Sequence, residues 1–107
     1  MKNQIRLAAV GVMMASIATA AFAQDPGADT YKAKCAMCHA ADGSGNTPAG
    51  KAMKAIPFSS PDLVKASDAD LIAATKNGKG KMPAYSGKLT DDQITAVVAY
   101  IRTLQKK

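Results

Sequence analysis

The chain has 107 residues, and its 14 lysines and arginines outnumber its eight acidic residues, which gives a formal net charge of +6 at pH 7. This length fits one small domain. The positive charge is too small and too dominated by lysine to indicate a nucleic-acid-binding protein. The absence of tryptophan leaves the chain with few large side chains from which to build a core.

The first 23 residues have the features of a secretory signal peptide. Lys2 and Arg6 supply a positively charged start, an apolar stretch without a charge follows, and an A-x-A-type cleavage site ends at Ala23. A retained membrane anchor is the alternative, but the uncharged run barely reaches the length that spans a bilayer. The sequence therefore predicts a cleaved leader over residues 1–23, export to the periplasm, and a mature domain over residues 24–107.

The mature chain opens with helix-starting residues. Asp25 can cap free amide groups, and the proline that follows it suits the first helical position. These signals predict a helix over Pro26–Lys34. Gly27, Tyr31 and Cys35 recur at four-residue spacing, so they share one face of this helix. Because glycine lowers helix stability, Gly27 indicates close packing against another backbone, with a frayed, solvent-facing first turn as the alternative.

Residues 35–39 read Cys-Ala-Met-Cys-His, which is the C-x-x-C-H attachment signature of c-type haem. Haem carries two vinyl groups that can each form a thioether, and the spacing places Cys35 and Cys38 about one helical turn apart. His39 then brings a neutral imidazole, a natural iron ligand, under the ring. The sequence therefore predicts one covalently bound haem c, attached through Cys35 and Cys38, with His39 as an axial ligand of the iron.

Three other interpretations of this motif are weaker. A thioredoxin-like redox pair expects a βαβ setting, and no strand pattern surrounds Cys35. A structural zinc site needs four protein ligands, and the cysteines and the histidine of this chain number three in total. A structural disulfide fits an oxidising compartment, but it leaves His39 without a role.

The segment after the motif is rich in turn-forming residues. Residues 40–50 show no periodicity and predict a loop on the histidine side of the haem. Within it, Pro48 either offers its carbonyl to the far nitrogen of His39 or is an ordinary turn proline. Residues 51–55 could form one helical turn, and residues 59–63 are either an extended crossing segment or a short capped turn.

The clearest helical signals come in the second half of the chain. Ser67 caps a helix that ends at Gly78, a residue suited to a left-handed helix stop. The last helix has a Thr90 cap with Gln93 three residues later. Apolar residues then recur at helical spacing: Ile94, Val97, Val98, Ile101 and Leu104.

A second axial ligand is expected among the methionines, because a thioether is a soft ligand that raises the reduction potential of haem iron. Met37 lies between the two cysteines and cannot reach across the ring. Met53 lies in a candidate helical turn, where methionine is more often a core residue. Met82 lies in the Gly- and Pro-rich stretch 79–88, which can hold a side chain at a fixed point. We therefore predict Met82 as the ligand, with a lysine ligand or an open position as alternatives.

At this point the sequence resembles class I cytochrome c, the small mono-haem family, and residues 76–83 are most similar to its cytochrome c6-like subgroup. The resemblance covers nearly all of the mature chain. Its matching pieces are the helix with Gly27 and Tyr31, the 35–39 motif, the 81–85 loop, and the helix with Val97 and Tyr100. It implies an all-α fold whose first and last helices cross, and His39 and Met82 as axial ligands. The predicted elements give three to four short helices, with long loops wrapped around one haem.

These features predict an exported mono-haem cytochrome that carries single electrons between redox partner proteins and is not an enzyme. A haem enzyme, or a gas or redox sensor with an open sixth iron position, is the alternative. The expected partners are a membrane cytochrome complex, an oxidase, a reductase or a photosynthetic reaction centre. Lys76, Lys79, Lys81 and Lys88 are predicted to steer an acidic partner surface to the haem edge. The mature carrier is expected to be a monomer with no membrane span.

Overall fold

The computed structural model describes residues 25–106, so the leader predicted over residues 1–23 lies outside the described part. Six helices follow one another there: α1 Pro26–Lys34, α2 Ala36–His39, α3 Pro48–Ala52, α4 Pro61–Lys65, α5 Asp68–Asn77 and α6 Asp91–Gln105. Within residues 25–106 the only strand-like features are two isolated bridges, and no helix is long and apolar enough to cross a bilayer. The all-α class is confirmed, whereas the number of helices exceeds the predicted three to four.

Helices α1 and α6 cross, as the resemblance implied, and they do so at Gly27, the residue that the sequence singled out for close packing. Asp25 caps α1 by accepting a hydrogen bond from the Gly27 backbone amide at 2.9 Å. A Cβ atom added to Gly27 would lie 2.2 Å from the Ala96 backbone oxygen of α6. Close packing of Gly27 against another backbone is therefore confirmed, because only a residue without a side chain fits at this crossing.

Helix α6 supplies most of the apolar core. Its capping box is complete, since the Thr90 amide donates to Gln93 Oε1 at 2.8 Å and the Gln93 amide donates to Thr90 Oγ1 at 3.1 Å. Its five predicted apolar residues are all buried, and four of them pack in one cluster with Tyr31 and Phe58. Both α1 and α5 pack against this helix. The sequence prediction for α6 is confirmed.

Helix α5 begins and ends where the sequence indicated. Ser67 Oγ accepts a hydrogen bond from the Asp70 amide at 3.1 Å, and Gly78 ends the helix with φ of +74°. A Cβ atom on Gly78 would lie 2.7 Å from the Met82 backbone oxygen. The chain therefore reverses tightly after α5 and brings the segment that contains Met82 back toward the helix.

Two short helices differ from the sequence prediction. Helix α3 begins at Pro48, inside the stretch that was predicted as loop, because Thr47 Oγ1 accepts a hydrogen bond from the Gly50 amide at 2.9 Å. It ends at Ala52, so it includes only the first two residues of the turn predicted over residues 51–55. Residues 59–63 were predicted as either an extended segment or a short capped turn. The structure has the turn, as helix α4, which begins at Pro61 and continues to Lys65.

Candidate haem-binding site

The cysteine motif lies where α1 passes into α2. The Cys35 amide donates to the Tyr31 carbonyl at 2.9 Å, and the His39 amide donates to the Cys35 carbonyl at 2.9 Å. Cys35 thus ends α1 and begins α2, and the three side chains of the motif follow within one turn. Both thiols are free and half-buried, so each is available for a thioether bond.

The motif faces a largely apolar cavity of about 630 Å³, a size within the range of small-molecule and cofactor sites. Cys35, Cys38 and His39 line one part of it. The loop after α5 lines another part through Met82 and Tyr85. The remaining walls come from the core, including Phe58, Val97 and Ile101. One cavity therefore brings together all four residues that the sequence singled out.

The His39 imidazole is held neutral and has an uncommitted nitrogen. Its ring stacks on Phe58, with the centroids 4.6 Å apart and the planes 23° from parallel. Burial lowers the pKa of His39, and a neutral imidazole is the form that binds a metal. Nδ1 of His39 is buried without a hydrogen-bond partner in the described part of the chain. Such an unpaired buried nitrogen is rare in folded proteins, and it leaves the imidazole free of a competing hydrogen bond at Nδ1.

The role proposed for Pro48 is not found in the structure. No hydrogen bond joins the Pro48 carbonyl to His39 among residues 25–106, because the buried Nδ1 of that ring has no partner there. Pro48 instead occupies the first position of α3 and is exposed. The alternative, a proline with only a local backbone role, agrees with this position.

Thr47 is a supporting residue that the sequence analysis missed. Its hydroxyl donates to the Met37 carbonyl at 2.7 Å, and a second contact reaches the Cys38 carbonyl at 3.2 Å. A Cβ atom on Gly50 would lie 2.1 Å from that same Cys38 carbonyl. Helix α3 therefore supports the backbone of the motif directly. The Thr47-Pro48 pair, an N-cap followed by a proline at the first helical position, was the sequence signal that could have found it.

The three mature methionines differ in their relation to the cavity. Met82 is half-buried and lines it. Met53 also lines it, but 51% of its surface is exposed. Met37 is 77% exposed and does not line the cavity, in agreement with its exclusion as a ligand. Met82 and Met53 are therefore the two thioethers that the structure offers to a group in this cavity.

The charges around the cavity are all positive. A lysine rim, defined here as Lys34, Lys54, Lys79 and Lys81, lines it, and no aspartate of the described chain does so. The other two lysines that were predicted to steer a partner, Lys76 and Lys88, do not line the cavity. Lys76 forms an ion pair with Asp91 at 3.0 Å, and the Lys88 ammonium lies 5.9 Å from the centre of the Tyr85 ring.

The donor set fits a covalently attached haem. Burial, with a smaller contribution from Cys38, raises the pKa of the Cys35 thiol to about 11, so this thiol remains protonated at neutral pH. A thioether carries no charge and suits such a buried position. Two thiols, one neutral imidazole and one thioether surround an apolar cavity, and this combination matches the vinyl groups, the iron and the flat apolar ring of haem.

Comparison with known proteins agrees with a site for covalently attached haem, because the proteins similar to this chain are cytochromes. The family model described as "Cytochrome C oxidase, cbb3-type, subunit III" matches residues 22–101. Cytochrome c6 of Leptolyngbya boryana is 40% identical over 77 residues, which cover 70% of this chain and 85% of that protein. Cytochrome c6 of Thermosynechococcus vestitus is 35% identical over 104 residues, which cover 94% of this chain and 89% of that protein. The solved structure of the KustC0563 c-type cytochrome superposes with a TM-score of 0.68 at 28% identity, covering 74% of this chain and 96% of its own.

Proposed function

The chain belongs to the cytochrome c family, with one covalently bound haem c, and from this membership we propose that it is a periplasmic carrier whose iron is held between His39 and Met82. It is an electron-transfer protein and not an enzyme. The observation that carries the ligand proposal is that His39 and Met82 line the same apolar cavity from two separate elements of the fold.

When bound, the haem takes up and gives up one electron at its iron. Cys35 and Cys38 hold the group in place through thioether bonds, and the His39 imidazole donates a nitrogen lone pair to the metal. Met82 supplies a soft thioether sulfur, which favours the reduced state. The largely apolar walls would shield the bound ring from water. A protein that keeps both axial positions occupied changes little when an electron arrives, and this suits a carrier.

The position of Met53 supports the choice of Met82. Met53 follows α3 directly, and α3 packs against α2, the helix of the motif itself. Met82 follows α5, which packs against α6 and comes from a different part of the fold. His39 and a second residue would hold the iron from different sides, so the second ligand is better supplied by an element that does not pack on the His39 helix.

Several finer features of the carrier are part of this proposal. Redox proteins are its partners, and the lysine rim favours a docking surface that is acidic on the partner side. Export to the periplasm is supported by the leader-like residues 1–23 and by the redox setting in which thioether attachment occurs. The mature protein is proposed to act as a monomer. The mass of the purified, exported protein tests cleavage near Ala23.

The ligand assignment is tested by replacing each candidate methionine in the haem-loaded protein. Met82→Ala should open the iron to water or cyanide and lower the reduction potential, because loss of the thioether removes the preference for the reduced state. Axial ligands shift haem potentials over about 0.8 V, so the change should be readily measured on an electrode. The absorption spectrum should change from low-spin toward a spectrum with an open or water-filled position.

Met53→Ala is the matched control, because it removes the same side chain from the same cavity. It should weaken packing while leaving the iron six-coordinate and the potential close to that of the parent. A Met82→Ala protein with the parental spectrum and potential would refute the assignment of Met82 as iron ligand. If only Met53→Ala opened the iron to added ligands, Met53 would be the second ligand instead. Rapid cyanide binding by the unmodified protein would favour the haem enzyme or sensor.

A further inference from the structure

The Met82 loop, defined as residues 78–85, begins directly after α5 and is hydrogen-bonded back to that helix at its other end. Reciprocal backbone hydrogen bonds join Lys79 and Met82, with N···O distances of 3.2 and 3.0 Å. At the end of the loop, the Tyr85 amide donates to the Thr75 carbonyl at 3.0 Å. The amide of the next residue, Ser86, donates to the Lys76 carbonyl at 3.1 Å. The loop is therefore anchored on α5 by backbone hydrogen bonds.

The motif belongs to a different part of the fold. Cys35, Cys38 and His39 lie at the junction of α1 and α2, and neither helix packs extensively against α5 in the described structure. Helix α6 contacts both α1 and α5 and joins the two parts indirectly. The distance between His39 and Met82 therefore depends on how well the α5 side is fixed relative to the α1–α2 side.

One side-chain hydrogen bond spans this gap directly. The Tyr85 hydroxyl donates to the Lys34 backbone carbonyl at 3.0 Å, and within residues 25–106 no other side-chain hydrogen bond joins the Met82 loop to α1 or α2. Lys34 is the last residue of α1 and immediately precedes Cys35. Carbonyls at a helix end lack intrahelical partners, so this oxygen is free to accept the hydroxyl. The Tyr85 ring itself lines the cavity.

We propose that Tyr85 is a positioning residue, whose hydroxyl fixes the Met82 loop against the start of the cysteine motif and so keeps Met82 on the iron. This inference rests on the proposed His39 and Met82 ligation. Tyr85 does not contact the metal in this assignment. It acts through Met82, three residues earlier, by limiting how often the loop moves away from the motif. A phenylalanine at this position would line the cavity equally well and would lack the hydrogen bond.

The test uses the intact haem-loaded protein and compares Tyr85→Phe with Tyr100→Phe. Tyr100 is a suitable control because its ring packs against Tyr31 at 5.2 Å, while its hydroxyl makes no hydrogen bond within the described chain. The first readout is the rate at which cyanide binds the ferric protein, since cyanide enters only when Met82 is displaced. Tyr85→Phe should raise this rate roughly threefold to tenfold, the factor expected for one net hydrogen bond. Tyr100→Phe should leave it unchanged.

The second readout is native-state hydrogen exchange of the Tyr85 and Ser86 amides, which bond to α5 and report separation of the loop from that helix. Tyr85→Phe should leave their protection close to the parental level, because the loop moves together with α5 when the hydroxyl is lost. The proposal is overturned if Tyr85→Phe binds cyanide at the parental rate, whether or not its amides lose protection. It is also overturned if Tyr100→Phe raises the cyanide-binding rate as much as Tyr85→Phe does. Met82→Ala is measured alongside. If it leaves cyanide binding unchanged, the ligand assignment itself fails, and this result is distinct from failure of the Tyr85 proposal alone.

Discussion

Tyr31 illustrates how a single buried side chain supports the site without lining it. The residue is fully buried, and its hydroxyl donates to the Ala40 carbonyl, immediately after His39. Ala40 has φ of +66°, a left-handed conformation that costs energy for a residue other than glycine. Burial, with smaller contributions from Cys35, Tyr100 and Asp42, raises the pKa of the Tyr31 hydroxyl above its ordinary value. The proton is therefore retained in the folded state, and the hydrogen bond persists.

This environment leads to a pH-dependent prediction for Tyr31→Phe. At pH 7 the substitution should lower the free energy of unfolding by about 1–3 kcal/mol, because it leaves the Ala40 carbonyl without its donor. In the parent, folding raises the pKa of the Tyr31 hydroxyl, and the resulting stability is fully present below about pH 10. This stability is lost as the pH rises further, because Tyr31 of the unfolded chain releases its proton at a lower pH than Tyr31 of the folded protein. Phenylalanine has no such proton. The stability difference between the two proteins should therefore narrow above about pH 10.

Chemical denaturation of the haem-loaded parent and variant at a series of pH values measures this difference. Lysine titration affects both proteins equally, so it cancels in the comparison. A gap that stays constant or widens from neutral to alkaline pH would contradict the assignment of the raised pKa to Tyr31.

At the scale of elements, the helices that the sequence predicted are those with local signals at their ends. Helix α1 has Asp25 and a proline, α5 has Ser67 and Gly78, and α6 has a complete capping box, so each is specified by residues within itself. The cysteine motif is likewise local. These elements and the residues that attach the haem could be predicted because neighbouring residues determine them.

Several contacts that the sequence did not reveal depend on residues far away in the chain. Helix α4 has no side-chain cap at its start, and the Arg102 guanidinium of α6 donates to the Leu63 and Ala66 carbonyls at its other end. The same guanidinium bonds to Asp68 at 2.9 Å. The hydrogen bond from Tyr85 to the Lys34 carbonyl spans 51 residues. No periodicity or cap signals such contacts, so they become visible only in the folded chain.

The different surroundings of two N-caps predict different effects on the haem site. Thr47→Val should lower the free energy of unfolding by about 1–2 kcal/mol, because α3 loses its cap. It should also change the circular dichroism of the haem absorption band, because the Met37 carbonyl loses its donor within the motif. Ser67→Ala is the matched control. Within residues 25–106 the Ser67 hydroxyl bonds only to the Asp70 amide of α5. Loss of this cap should cost about 1 kcal/mol and leave the haem spectrum unchanged.

Equal haem spectra in the two variants would show that α3 does not support the motif. A Thr47→Val protein as stable as the parent would contradict the capping role. Both quantities come from the same denaturation series when it is followed at a backbone wavelength and at a haem wavelength.

At the scale of the whole molecule, charge is distributed unevenly with respect to the cavity. The lysine rim lines it, and all eight aspartates of the chain lie elsewhere. The described surface therefore presents positive charge around the cavity and no aspartate in its lining. Lys76 contributes less than the sequence suggested, because its ion pair with Asp91 offsets its charge. Lys79 and Lys81 remain from the predicted set, and Lys34 and Lys54 join them.

Electron transfer to an acidic redox partner should therefore depend on the rim and on salt. Attraction between exposed charges extends over about 30 Å at 0.01 M ionic strength and only about 10 Å at 0.1 M, so the association rate should fall steeply as salt is added. Lys81→Glu should slow the reaction several-fold at low salt and flatten its salt dependence, because a rim charge is reversed. Lys65→Glu changes the net charge equally at the end of α4, outside the cavity lining, and should have a smaller effect. Stopped-flow rates at several ionic strengths measure both. Equal slowing by the two variants would show that only the net charge matters. A rate of the parent protein that does not change with ionic strength would show that the lysine rim takes no part in docking.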